Sequence, residues 1–112
     1  MGHFTIGQVV SSAFPFSDLT AKKYRPALVV AIVDFDDLIL CQITSKPYAS
    51  SMAVELSESD FTKGSLPVKS YIRPDKLFTT DASLVSKVYG ELKLGKLRQV
   101  QTTLRNLFTE IK

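Results

Sequence analysis

Tyr24-Arg25-Pro26-Ala27-Leu28-Val29-Val30-Ala31-Ile32-Val33-Asp34-Phe35-Asp36-Asp37-Leu38-Ile39-Leu40-Cys41-Gln42-Ile43-Thr44-Ser45 decides how this chain folds. Two apolar runs, Ala27 to Val33 and Leu38 to Ile43, flank a short segment of aspartates and one phenylalanine. β-Branched residues dominate both runs, and Asp34 to Asp37 is rich in turn formers, so the stretch reads as a β-hairpin. Arg25 opens its first strand and Thr44 closes its second. In an antiparallel pair those ends are neighbours. A guanidinium therefore meets a hydroxyl beside a loop that carries Lys22 and Lys23.

Outward from the hairpin, residues 4–12 read as a first strand with Val9 and Val10 at its centre. Residues 13–23 form a connection longer than most hairpin loops, a length often associated with function. Beyond Ser45, a polar loop with Lys46 and Pro47 leads to Met52-Ala53-Val54-Glu55-Leu56, where Met52, Val54 and Leu56 share a face. Residues 57–63 read as a turn or one helical turn, stopped by Gly64. Val68 to Arg73 is a further strand. Lys69, Tyr71 and Arg73 share one face, which Asp75 joins if the strand passes Pro74. Asp81-Ala82-Ser83 reads as a turn, and Leu84 to Tyr89 as a strand in preference to a helical turn. From residue 94 the period changes. Leu97, Val100, Leu104, Leu107, Phe108 and Ile111 follow spacings of three and four, which predicts an amphipathic helix to about residue 111, with Lys96, Arg98 and Arg105 turned away from the sheet. The expected architecture is one domain over residues 1–112: a mainly β, strongly curved sheet of roughly six strands with a C-terminal helix.

The 112 residues are 45% hydrophobic, enough for one core and too apolar for a disordered chain. No run is long enough to cross a membrane as a helix, and the first ten residues lack the pattern of a secretory signal, so a cytoplasmic location is expected. The single cysteine, Cys41, lies within an apolar strand and reads as a small buried thiol. His3, the only histidine, cannot form a metal site alone. The net charge of +3 permits a polyanionic partner without requiring one. Of the four arginines, Arg25 and Arg73 fall in the stretches singled out here. Arginine's planar fork suits phosphate better than lysine's point charge.

Several segments together resemble the PemK-like branch of the MazF/PemK toxins. They are Phe14-Pro15-Phe16-Ser17-Asp18 followed by Arg25-Pro26-Ala27-Leu28-Val29-Val30, then Gln42-Ile43-Thr44-Ser45, then Gly64-Ser65-Leu66 leading to Ser70-Tyr71-Ile72-Arg73-Pro74-Asp75-Lys76-Leu77, and Val88-Tyr89-Gly90-Glu91-Leu92 before the helix. The similarity spans nearly the whole chain. It implies an SH3-like β-barrel with a C-terminal helix, usually a homodimer. It also implies the toxin of a type II toxin–antitoxin pair: a metal-free endoribonuclease that cuts single-stranded RNA at short sequences. No cofactor is implied, and the cognate antitoxin would be an acidic, partly disordered peptide covering the RNA site. Matched by motif, the catalytic arginine and threonine fall on Arg25 and Thr44, and an Arg-x-Asp pair falls on Arg73 and Asp75. Some members carry a histidine in the first long loop; this chain has none there.

Metal-free cleavage of RNA uses the substrate's own 2′-hydroxyl as nucleophile. Someone must take its proton, balance the phosphorane charge and protonate the leaving oxygen. Arg25 suits charge stabilisation. Thr44 and Ser45 suit donation to a phosphate oxygen. Asp75 is the base candidate, although Arg73 beside it would lower its pKa; Arg73 itself is the acid that the resemblance suggests. Phe16, Ser17, Lys22, Lys23, Ser45, Lys46, Lys69 and Tyr71 are candidate RNA contacts, with Phe14 and Phe16 able either to stack bases or to plug the barrel. Two other readings remain open: a non-enzymatic poison of DNA gyrase, as in the CcdB-type proteins of this fold, and an inactive nucleic-acid-binding barrel.

Overall fold

The computed structural model describes residues 3–14, 23–48 and 50–109. Seven strands run in chain order: β1 (Gln8–Ala13), β2 (Tyr24–Val33), β3 (Asp37–Thr44), β4 (Val54–Leu56), β5 (Phe61–Gly64), β6 (Ser70–Asp81) and β7 (Val85–Leu92). One α-helix, α1 (Leu94–Leu107), follows them. The strands form a single sheet in the order β4-β6-β3-β2-β1-β7-β5. Every strand pair is antiparallel.

The two edges of this sheet are consecutive in the chain. Only residues 57–60 separate β4 from β5, a length of chain that reaches at most about 18 Å. Strands at opposite ends of a seven-membered ladder cannot be that close unless the sheet curls on itself. Ser57 and Asp60 tighten the link: the Asp60 carboxylate accepts from Ser57 N (2.8 Å) and from Ser57 Oγ (3.2 Å) around a single 3-10 turn. The sequence reading of a turn holds for Glu58–Asp60, but Phe61–Gly64 is a strand instead of a continuation of it. Four residues with one apolar member, Phe61, are too short to show an alternation.

The central strands are buried on both faces. Val9 and Val10 are adjacent and fully buried, yet belong to different clusters. Val9, Leu28, Cys41, Ile43, Ile72 and Leu92 pack under α1 around Val100, with Leu97 and Leu104 against them. On the other side, Val10, Ala27, Val29, Leu38, Leu40 and Phe78 gather around Phe14, whose ring lies 4.6 Å from that of Phe78. Phe14 is thus a core residue. Double burial explains why β2 and β3 read as unbroken apolar runs instead of alternating ones. Cys41 is a buried free thiol, as its setting predicts. Burial, with the Asp75 charge adding to it, pushes this thiol up to about 12.

The first strand begins at Gln8, later than residue 4, because Gly7 adopts a left-handed φ of 101° and its carbonyl accepts from Leu92 N (2.9 Å). The β2–β3 turn also uses that region, with φ of 64° at Phe35 and 63° at Asp36. Helix α1 ends at Leu107, so the expected extension to residue 111 does not form over 108–109, and Phe108 is largely exposed. Lys96 does not face away from the sheet. Its ammonium donates to Glu55 O (2.9 Å) and Gln99 Oε1 (3.1 Å) and lies 3.7 Å from Asp60, which clamps the helix over the β4–β5 link. The aliphatic stem lets a lysine do this at the border of a core.

β5 meets β7 at Gly64 and Gly90, which are register partners. A Cβ on Gly64 would overlap the Tyr89 carbonyl, and Gly64 also holds a left-handed φ of 70°. Gly64→Ala should therefore destabilise the fold by about 2–4 kcal/mol, combining left-handed strain with overlap against backbone. Urea denaturation of both proteins measures the difference; an unchanged midpoint would show that β5 is not tied to β7 by this close approach.

Candidate active site

Pro26 has no N–H, so β2 begins with a residue that cannot donate to a ladder and with φ preset. It pairs across from Ser11, and Arg25 from Ser12. On the other side, β2 and β3 are in register at Ala27 and Gln42. Continued by two residues, that register sets Arg25 across from Thr44. Both residues line a pocket of about 240 Å³ together with Pro26, Ile43, Ser45, Lys46, Val68 and Ser70. The start of β2, the end of β3 and the start of β6 thus meet at one mouth.

The pocket carries positive charge. Among the described residues, Arg25 and Lys46 line it and no carboxylate does. Among the described residues, neither cation takes part in a salt bridge. Thr44 Oγ1 accepts from Lys46 N at 3.2 Å, a hydroxyl turn that holds the Lys46 backbone. With a lone pair engaged there, the hydroxyl proton remains available to a ligand oxygen. Ser70 is buried and donates to Val68 O at 2.9 Å, which fixes the approach to β6 and leaves Val68 as an exposed apolar wall. Four of the predicted site residues, Arg25, Thr44, Ser45 and Lys46, therefore share one pocket.

Arg73 and Asp75 form a different arrangement. In the β3–β6 ladder Cys41 pairs with Leu77 and Gln42 with Arg73, so Pro74, Asp75 and Lys76 bulge out of register. Pro74 cannot donate to a ladder, and a bulge is where such a residue belongs within a strand. The strand does pass Pro74, and the bulge turns Asp75 back on Arg73. Arg73 Nε donates to Asp75 Oδ1 at 3.3 Å and Nη2 to Oδ2 at 2.8 Å, a forked pair with both side chains mostly shielded. These hydrogen bonds, with help from Ser50 and the Arg73 charge and against a smaller effect of burial, hold the Asp75 carboxyl below its ordinary value. An occupied, low-pKa carboxylate is a poor proton acceptor at neutral pH. Neither residue lines the pocket, although Arg73 lies one cross-strand step from Gln42 on the same ladder.

Of the remaining predicted contacts, Tyr71 sits across from Thr44 on one side and Glu55 on the other, half-buried. Lys69 points at Glu55 (3.3 Å) in an exposed ion pair of little energetic weight. Lys23 is exposed, and its carbonyl accepts from Phe14 N, joining the two ends of the first long loop. Phe16, Ser17 and Lys22 lie outside the described residues. Pro26, Ile43, Val68 and Ser70 are site residues that sequence reasoning did not select. Pro26 and Ile43 are chain neighbours of Arg25 and Thr44, while Val68 and Ser70 come from the register between β3 and β6, which no local pattern reports. Among the described residues, no group of three His, Cys, Asp or Glu could hold a metal ion.

The described strands form a curled antiparallel sheet with one C-terminal helix, and Arg25 and Thr44 line a pocket at its strand ends. The chain matches the family model described as PemK-like, MazF-like toxin of type II toxin-antitoxin system over residues 6–108, and it belongs to that family. No curated protein matches it by sequence. Among solved structures, an endoribonuclease in complex with its cognate antitoxin from a mycobacterial species superposes with a TM-score of 0.73 at 18% identity, covering 100% of each chain. MazF from Deinococcus radiodurans gives 0.68 at 22% identity, covering 90% of this chain and 92% of its own. The Mycobacterium tuberculosis toxin MazF-mt6 gives 0.71 at 14% identity, covering 90% and 95%. These likenesses establish a shared fold.

The acid limb of stability follows from the Arg73–Asp75 pair. The folded pKa of Asp75 lies below its unfolded value of about 3.9. The pair's contribution is therefore complete above pH 4 and is lost as pH falls through the folded value. Asp75→Asn should be less stable than the parent at pH 7, and the gap should narrow below pH 4. Thermal melts across pH 2–7 test this; a constant gap would mean the charge of Asp75 contributes nothing.

Proposed function

We propose that this chain is a toxin that cuts single-stranded RNA without a metal ion, with Arg25 and Thr44 as the residues that act on the scissile phosphate. The supporting observation is their convergence from two strands into one positively lined pocket, in a chain of the toxin family. The RNA's own 2′-oxygen attacks phosphorus while the bond to the 5′-oxygen breaks, leaving a 2′,3′-cyclic phosphate and a 5′-hydroxyl. Arg25 balances charge on the equatorial oxygens of the phosphorane with its forked donors. The Thr44 hydroxyl donates to one of those oxygens, and Ser45 and Lys46 hold the flanking phosphate. Arg73 and Asp75 act as a coupled unit: Asp75 holds the Arg73 fork in place, and Arg73 supplies positive charge at the edge of the site. Lys23, Lys69 and Tyr71 extend the track along the strand ends, and Phe16, Ser17 and Lys22 are proposed as further RNA contacts.

The partner that restrains such a toxin is an acidic antitoxin segment laid across the same cations, as the charge of the pocket favours. Antitoxin complexes are known for the mycobacterial endoribonuclease and for the Deinococcus MazF. We further infer a homodimer acting in the cytoplasm. Its subunits would cover exposed apolar side chains such as Ile32 and Val33. Light scattering at micromolar concentration should return twice the mass of one chain; a single-chain mass overturns the dimer.

Purified protein should cut a long RNA in EDTA, and leave DNA of the same sequence intact because DNA lacks the nucleophile. Arg25→Ala should lose about two to four powers of ten in single-turnover rate, the scale of one lost transition-state donor. Arg25→Lys should recover little of it. The melting temperature should barely move, since Arg25 is exposed. Near-normal cleavage by Arg25→Ala would remove the centre of this mechanism. Inhibition of gyrase with RNA left whole would favour the non-enzymatic alternative.

A further inference from the structure

Among the described residues, one buried side-chain polar atom has no hydrogen-bond partner: Oε1 of Gln42. Unpartnered buried acceptors are uncommon in native proteins, and each calls for a cause. The position of this one is telling. Gln42 lies between Ala27 of β2 and Arg73 of β6, and Thr44 lies between the Arg25 position and Tyr71 one row along. Residues two apart on a strand share a face, so Gln42 belongs to the same face as Thr44. Arg73, across from Gln42 on β6, turns Nε and Nη2 to Asp75, and Gln42 Oε1 receives no hydrogen bond from it.

Resting on the reading of this chain as a ribonuclease, we propose that Gln42 is a specificity-determining residue that reads one base of the bound RNA. One row of the sheet, about 7 Å, separates it from Arg25 and Thr44. That distance is too long for the 2′-hydroxyl beside the scissile phosphate and suits the edge of an unstacked base. The terminal torsion of glutamine is broad and two-fold, so its rotation exchanges Oε1 and Nε2 at little cost, and the amide offers an acceptor beside a donor. Oε1 takes an N–H of the base, and Nε2 donates to the adjacent ring nitrogen or carbonyl. Single-stranded RNA is read on such edges.

Sequencing the ends produced from a long RNA by the parent and by Gln42→Met tests this. Methionine keeps the length of the side chain and removes both polar groups. The preference for one base at one position near the cut should flatten by roughly ten- to a hundredfold, the factor carried by two hydrogen bonds, while preferences elsewhere stay. The melting temperature should hold or rise, because a buried orphan is replaced by an apolar group. Gln42→Ala provides the same comparison should methionine not be accommodated. An unchanged cut-site profile overturns the proposal, whether or not stability falls. A loss of rate equal at every sequence also overturns it, since it assigns the contact to the backbone. Absence of cleavage by the parent takes down the ribonuclease reading and this proposal with it, an outcome distinct from an active parent with an indifferent variant.

Discussion

The four-residue passage from β4 to β5 is the constraint on which the rest of this molecule depends. It joins the two edges of the sheet, so every strand between them must coil. Within the sheet β6, β3 and β2 are hydrogen-bonded neighbours, and at one end Arg25, Thr44 and Ser70 line the same opening. The closure is held from both sides. Lys96 fastens α1 to Glu55 and Asp60, and the Gly64–Gly90 pairing lets β5 approach β7 more nearly than any side chain would allow. A sheet opened at that seam would still pair β2 with β3, but its hydrophobic interior would lose the helix that covers it.

Two arginines stand near the opening in opposite electrostatic states. Arg73 has a carboxylate bound to its fork. Arg25 has no such partner among the described residues. Among the described residues an anion arriving at Arg25 meets no carboxylate to displace, while one arriving at Arg73 competes with Asp75, which holds that charge in a fixed direction.

Much of the fold was legible in the chain. The hairpin at residues 24–44, with its two long apolar runs, and the helix starting at Leu94 appear where the sequence puts them, while the alternation read over Met52 to Leu56 forms a strand only over Val54–Leu56. The strand Phe61–Gly64 was not legible, because its pairing with β7 depends on two glycines and a backbone contact rather than on apolar side chains. The inward turn of Lys96 was missed because helical spacing reports only which side a residue faces, not the carbonyl that awaits it across the β4–β5 link. At the site, Arg25 and Thr44 were found because they terminate adjacent strands. Val68 and Ser70 were invisible, since their neighbourhood is set by the register of β6 and by the three-residue bulge that shifts it.

Cys41 gives the closed sheet a built-in reporter. Its sulfur lies where β2, β3 and β6 pack beneath the helix, sealed from solvent and held in the protonated, unreactive form. A thiol-specific reagent reaches it only when those strands part. The rate at which Cys41 is modified is consequently a clock for opening of the interior, with nothing added to the chain and no second thiol to confuse the signal. Any ligand that draws β2 and β3 together at their Arg25–Thr44 end slows that clock, so occupancy of the surface pocket becomes readable from an atom in the core.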